Sequence, residues 1–145
     1  LILDEPIANF DVEFRKDFLK LLQAFIADGQ KSVVLATHLM EDIDRLADYL
    51  IYLEDGRSIF AGQMEDFREQ YRIVSGEAYK IKLLDREDII AMEQKKYGAK
   101  ALVRHHGYQH YDTELTAVPP TVEEFMYFLS KTKTAERRNH EKVIH

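Results

Sequence analysis

The 145-residue chain carries a net charge of −6, with 46% hydrophobic and 32% charged residues and no cysteine. That balance suits one globular domain, or part of one with a small appendage. It excludes wholesale disorder, disulfide and thiolate chemistry, and the basic footprint expected of a nucleic-acid partner. No apolar run reaches the ~18 residues of a membrane-spanning helix, and no signal-peptide pattern is visible at the start.

Leu1, Ile2 and Leu3 run straight into Asp4, Glu5 and Pro6. This is the pattern of a buried parallel strand whose end delivers acidic groups into a crevice. Residues 11–28 then read as a helix, because Phe14, Phe18, Leu21, Leu22, Phe25 and Ile26 recur at helical spacing and form one apolar stripe. Asp11 can cap its start, Glu13 suits the positive end of its dipole, and Gly29 offers a left-handed stop. Residues 31–37 form a second buried strand ending at His38. Strand, crossover helix and strand make a right-handed βαβ unit with parallel strands, which places Asp4, Glu5 and His38 together at the carboxyl ends.

A short helix carrying Leu39, Ile43, Leu46 and Ala47 follows. The β-rich runs 49–53 and 58–61 flank Asp55-Gly56, a pair that tolerates positive φ and so favours a tight hairpin. Met64, Phe67 and Tyr71 give a last amphipathic segment ending near Ser75-Gly76, where the sequence predicts a domain boundary. Beyond it, Tyr79, Ile81 and Leu83 alternate with lysines as a strand would. Asp85 can cap a helix carrying Ile89, Ile90 and Tyr97 and stopped by Gly98. Residues 101–105 and 108–111 read as strands about Gly107. After Pro119-Pro120, Thr121 and Glu124 form a capping box ahead of Phe125, Phe128 and Leu129. The division expected is therefore 1–75, a small α+β module over 76–130, and a basic, disordered tail over 131–145.

Two stretches carry a resemblance to a known family. LILDEP at residues 1–6 resembles the Walker B strand of ATP-binding-cassette (ABC) ATPases, with Asp11 where their D-loop aspartate falls. VVLATH at 33–38, the helix after it and the Asp55-Gly56 hairpin resemble the family's switch-histidine region in order and spacing. The likeness covers residues 1–70. No G-x-x-x-x-G-K-[ST] phosphate loop and no LSGGQ-type signature occur. With no initiator methionine, the chain is expected to be the C-terminal portion of a longer protein.

The resemblance implies a truncated P-loop-type parallel sheet and an ATP-binding subunit of an ABC transporter, peripheral at the cytoplasmic face of the cell membrane. It would work with a transmembrane permease and a second ATP-binding subunit. ATP and Mg²⁺ would be the ligands. Asp4 is the candidate for holding Mg²⁺, a hard ion that takes one or two carboxylates beside substrate phosphates. By resemblance Glu5 is the general base on the attacking water. His38 would reach the γ-phosphate and help hold that water, and Asp11 would lie at the dimer interface. The sequence departs from the family's D-loop at Asn9, where a smaller residue is common, and at Phe10, where a smaller aliphatic one is usual. A non-transport ABC-type ATPase and a non-catalytic binding module are the alternative readings. His105, His106 and His110 invite a zinc reading, but adjacent strand residues face opposite ways and would not converge on one ion.

Overall fold

The computed structural model describes residues 1–107 and 109–143. Its contacts divide the chain into two compact units, Leu1–Ala47 and Asp48–His145.

The first unit is a βαβ arrangement. Strand β1 (Ile2–Asp4) leads through helix α1 (Val12–Ile26) to β2 (Val34–Ala36), and α2 (Met40–Leu46) follows. β1 and β2 pair in parallel, with Leu3 opposite Leu35 and Asp4 opposite Ala36. The expected caps form. Asp11 accepts the Phe14 N–H at 2.8 Å, and Gly29, at φ +69°, donates its N–H to the Ile26 carbonyl. Phe10, the departure from the family's loop, meets Phe14 and Phe18 edge-on at 4.6 and 5.6 Å. Its bulk therefore continues the aromatic stripe of α1.

The second unit begins with the predicted hairpin. β3 (Tyr49–Glu54) and β4 (Arg57–Gln63) pair antiparallel around Asp55 at φ +49° and Gly56 at φ +72°, the two positive angles that a tight hairpin turn requires. Helix α3 (Met64–Gln70) feeds β5 (Tyr71–Gly76). β5 thus occupies the residues where the sequence predicts a boundary, and both β7 (Gly98–Arg104) and β8 (Thr116–Val118) pair with it. With β6 (Ile89–Lys95) they make a four-stranded antiparallel sheet of order β6-β7-β5-β8.

One face of this sheet carries Val74, Ala99, Ala101 and Val103, packed with Ile81 and Leu115. Phe60, Phe67, Tyr71 and Phe125 form a separate aromatic cluster of edge-to-face and tilted pairs, with ring centroids 4.8–6.4 Å apart. Helix α5 (Val122–Val143) packs on β6 and β7. Its capping box is made: Glu124 N–H donates to Thr121 Oγ1, and the Glu124 carboxylate accepts the Thr121 N–H, both at 3.1 Å. The helix runs on through the basic segment, whose last two residues lie outside the described ones.

Several expectations are corrected here. The chain is a mixed α/β structure, but most of its pairing is antiparallel, and β1–β2 is the one parallel pair among the described residues. The predicted strand 79–83 is instead the short helix α4 (Ala78–Ile81). Ala78, Ile81 and Leu84 face the core at three-residue spacing, whereas Tyr79 and Leu83 are exposed. The predicted helix after Asp85 is strand β6, turning through Lys96-Tyr97 into β7 with Lys95 opposite Gly98. Gly98 serves that hairpin instead of stopping a helix. Its φ is +102°, and a Cβ there would sit 2.6 Å from the Gly76 carbonyl oxygen. Residues 109–111 are not in a strand, and Tyr108 lies outside the described residues.

Candidate functional site

Asp4, Glu5, Asp11 and His38 all lie in the first unit. Parallel pairing brings the carboxyl ends of β1 and β2 to the same rim, which is where open α/β arrangements present ligand-binding groups. Asp4 is the last residue of β1 and is exposed. Glu5 follows it, and its N–H donates to the Ala36 carbonyl at 2.8 Å, carrying the ladder one step past the strand. The backbone of Glu5 then turns into the left-handed region at φ +44°. A non-glycine residue held there is strained, the more so before proline, and such strain clusters where a side chain has to be aimed.

His38 lies two residues past the end of β2, in the turn before α2. Its Nδ1 stands 2.9 Å from Glu5 Oε1, with side-chain exposures of 68% for His38 and 40% for Glu5. At that exposure the contact contributes little to stability. What it does is geometric: a carboxylate and an imidazole, 33 positions apart in the sequence, meet across the ends of two adjacent strands. Such a pair can take up, hold and pass a proton of a water molecule between them. Asp11 is engaged in capping α1 through the Phe14 N–H, and this leaves its second carboxylate oxygen outside that bond. The structure thus brings Glu5 and His38 into contact, ends the neighbouring strand with Asp4, and places Asp11 at the start of α1.

The three other histidines singled out do not converge. His105 Nδ1 meets the Tyr111 hydroxyl at 3.1 Å, and the two rings stack 5.7 Å apart. Burial, with Arg72 nearby, pushes the His105 imidazole below its ordinary range. His106 Nε2 meets Asp88 Oδ1 at 2.9 Å, while Gln109 donates to the other Asp88 oxygen at 3.1 Å. Among the described residues no three histidine or carboxylate side chains are grouped to hold a metal ion.

One contributor escaped the sequence reading. Thr37 Oγ1 accepts the Leu39 N–H at 3.1 Å, closing the turn that presents His38. The available signal was a hydroxyl residue immediately before a turn, where such side chains commonly bond the N–H two residues on.

No protein-family model matches the chain. Curated relatives do. An energy-coupling factor transporter ATP-binding protein of Lactococcus lactis subsp. lactis is 44% identical over 66 residues, which is 46% of this chain and 23% of the relative. A protein of the same name from Streptococcus agalactiae is 28% identical over 127 residues, 87% of this chain and 39% of the relative. The chain is thus similar to part of transporter ATP-binding proteins. A molybdenum import ATP-binding protein of Aromatoleum aromaticum is also similar, at 39% identity over 62 residues, 43% of this chain and 16% of that protein. The chain therefore spans between about a sixth and two fifths of the length of these ABC-type relatives. No helix among the described residues is long and apolar enough to cross a membrane.

Proposed function

We propose that this chain is the C-terminal portion of the ATP-binding subunit of an ABC transporter, with β1 and β2 two adjacent strands of a P-loop-type parallel sheet. The intact subunit would couple ATP hydrolysis to substrate movement by a membrane permease and would pair with a second ATP-binding subunit. The observation that carries this reading is the 2.9 Å contact between Glu5 and His38 at the ends of parallel strands. The transport-system names of the relatives support it.

Glu5 acts as the general base, orienting a water and accepting its proton, and His38 holds the far side of that water and the terminal phosphate. Little covalent chemistry is needed for phosphoryl transfer, so positioning and charge neutralisation dominate. Asp4 fits a magnesium site, since it offers a hard oxygen donor at an exposed strand end beside the reacting groups. The ion, when bound, would neutralise charge on the substrate phosphates. Asp11 lies in the loop that would face the second subunit.

The test is made on the full-length subunit. Glu5→Gln keeps the shape of the side chain and removes the base, so turnover should fall by roughly 10²–10⁴ while ATP still binds. Unchanged turnover would remove Glu5 from the chemistry. The 145-residue chain alone has no phosphate loop and should show no ATP turnover.

A further inference from the structure

We propose that Thr37 is a positioning residue that fixes His38 against Glu5, an inference that rests on the ATPase reading above. The two members of the pair are anchored differently. Glu5 is tied to β2 by its own N–H, bonded to the Ala36 carbonyl at 2.8 Å. His38 has left the strand, and its ring is 68% exposed, so neither ladder nor core packing sets its direction. The turn between Ala36 and Leu39 does.

Thr37 closes that turn. Its Oγ1 accepts the Leu39 N–H at 3.1 Å and so spans His38 from one side to the other. A hydroxyl-to-backbone bond over two residues restricts the dihedral angles of the residue it encloses. Leu39 is the N-cap of α2 and supplies no side-chain cap of its own, so the Thr37 hydroxyl also satisfies the N–H that enters this helix. Without the hydroxyl, the Leu39 N–H loses its half-buried partner and the turn is free to relax. A small rotation there swings the imidazole away from Glu5 Oε1, and displacements of this kind are what positioning-dependent catalysis tolerates least.

A double-mutant cycle in the full-length subunit, with Mg-ATP as substrate, tests this. Thr37→Val keeps the outline of the side chain and removes the acceptor. Its kcat should fall by about ten- to a hundredfold, with the KM for ATP unchanged, whereas Thr37→Ser, which retains the hydroxyl, should stay close to the parent. In a His38→Ala background Thr37→Val should cost nothing further, because it acts through the ring that has been removed. A parental rate for Thr37→Val, an equal loss in Thr37→Ser, or a full additive loss on top of His38→Ala would each overturn the positioning role. A parental rate for His38→Ala alone would instead sink the ATPase reading, and this inference with it. Should Thr37→Val fail to fold, Thr37→Ala takes its place in the same cycle.

Discussion

The two units bury their apolar residues to different degrees. In Asp48–His145, Phe67, Val74, Ile81, Ala101, Leu102 and Val103 are completely buried. In Leu1–Ala47, Leu1, Ile2, Val12, Phe14, Leu21 and Val34 are all exposed, Ile2 at 80%, while Ile7 and Leu22 are buried. Within these 145 residues, the unit that holds the candidate chemistry combines a two-strand ladder, helix caps and turn bonds with few buried side chains. The unit without it is a packed sheet. Within these 145 residues the candidate chemistry and most of the buried apolar side chains lie in different units, so a substitution should disturb one without necessarily disturbing the other.

That contrast can be broken most forcefully in the core. Phe67→Ala empties a fully buried site that contacts Phe60, Tyr71 and Phe125 and should cost about 3–5 kcal/mol in denaturant unfolding. The matching substitution at exposed Phe14 should cost far less. Equal losses would mean that the first unit has a core after all. Next come the caps. Asp11→Ala removes the acceptor for the Phe14 N–H and Thr121→Ala the acceptor for the Glu124 N–H, each worth about 1 kcal/mol. In the thinly packed first unit this should speed amide exchange along all of α1, whereas in α5 it should be confined to the first turn.

The smallest effect is electrostatic. The Lys131 ammonium beside Glu93, with Lys95 and the Tyr127 hydroxyl, holds its carboxyl down to about 2 from an ordinary 4.5. The contacts are at 2.5, 2.9 and 2.7 Å; those from Lys131 and Tyr127 tie β6 to α5. Because the folded form binds its proton more weakly than the unfolded one, the stabilisation is present above pH 4.5 and is lost as pH falls from there towards 2. Wild type and Glu93→Gln should therefore differ in urea midpoint at pH 6 and converge near pH 2. A difference that persists at pH 2 would show that packing, and not charge, is responsible.

The first unit was largely legible in the sequence because its signals are local. Asp11 and Gly29 bracket an apolar stripe, and the acids and His38 stand at the ends of apolar runs, so periodicity and capping agree. The contact between Glu5 and His38 follows from parallel pairing. The turn that refines it, closed by Thr37, depends on one side-chain bond that no periodicity announces. The second unit was read less well because its elements are decided by tertiary pairing. Strand β8 has three residues, too few to alternate. Lys96-Tyr97 makes a hairpin turn without the usual Asn-Gly or Asp-Gly cue. The Ala78, Ile81 and Leu84 repeat was masked by the louder alternation of Tyr79, Ile81 and Leu83. Asp55-Gly56, where the cue is present, gave the hairpin directly.

The crossing of Gly98 and Gly76 has a consequence for how this sequence can drift. Even a methyl group at Gly98 would have to displace a neighbouring carbonyl oxygen 2.6 Å away, and at φ +102° no rotamer choice relieves the backbone itself. The two strands are therefore riveted at a point that admits a single amino acid. Variation accumulating elsewhere in this sheet has to leave that rivet in place.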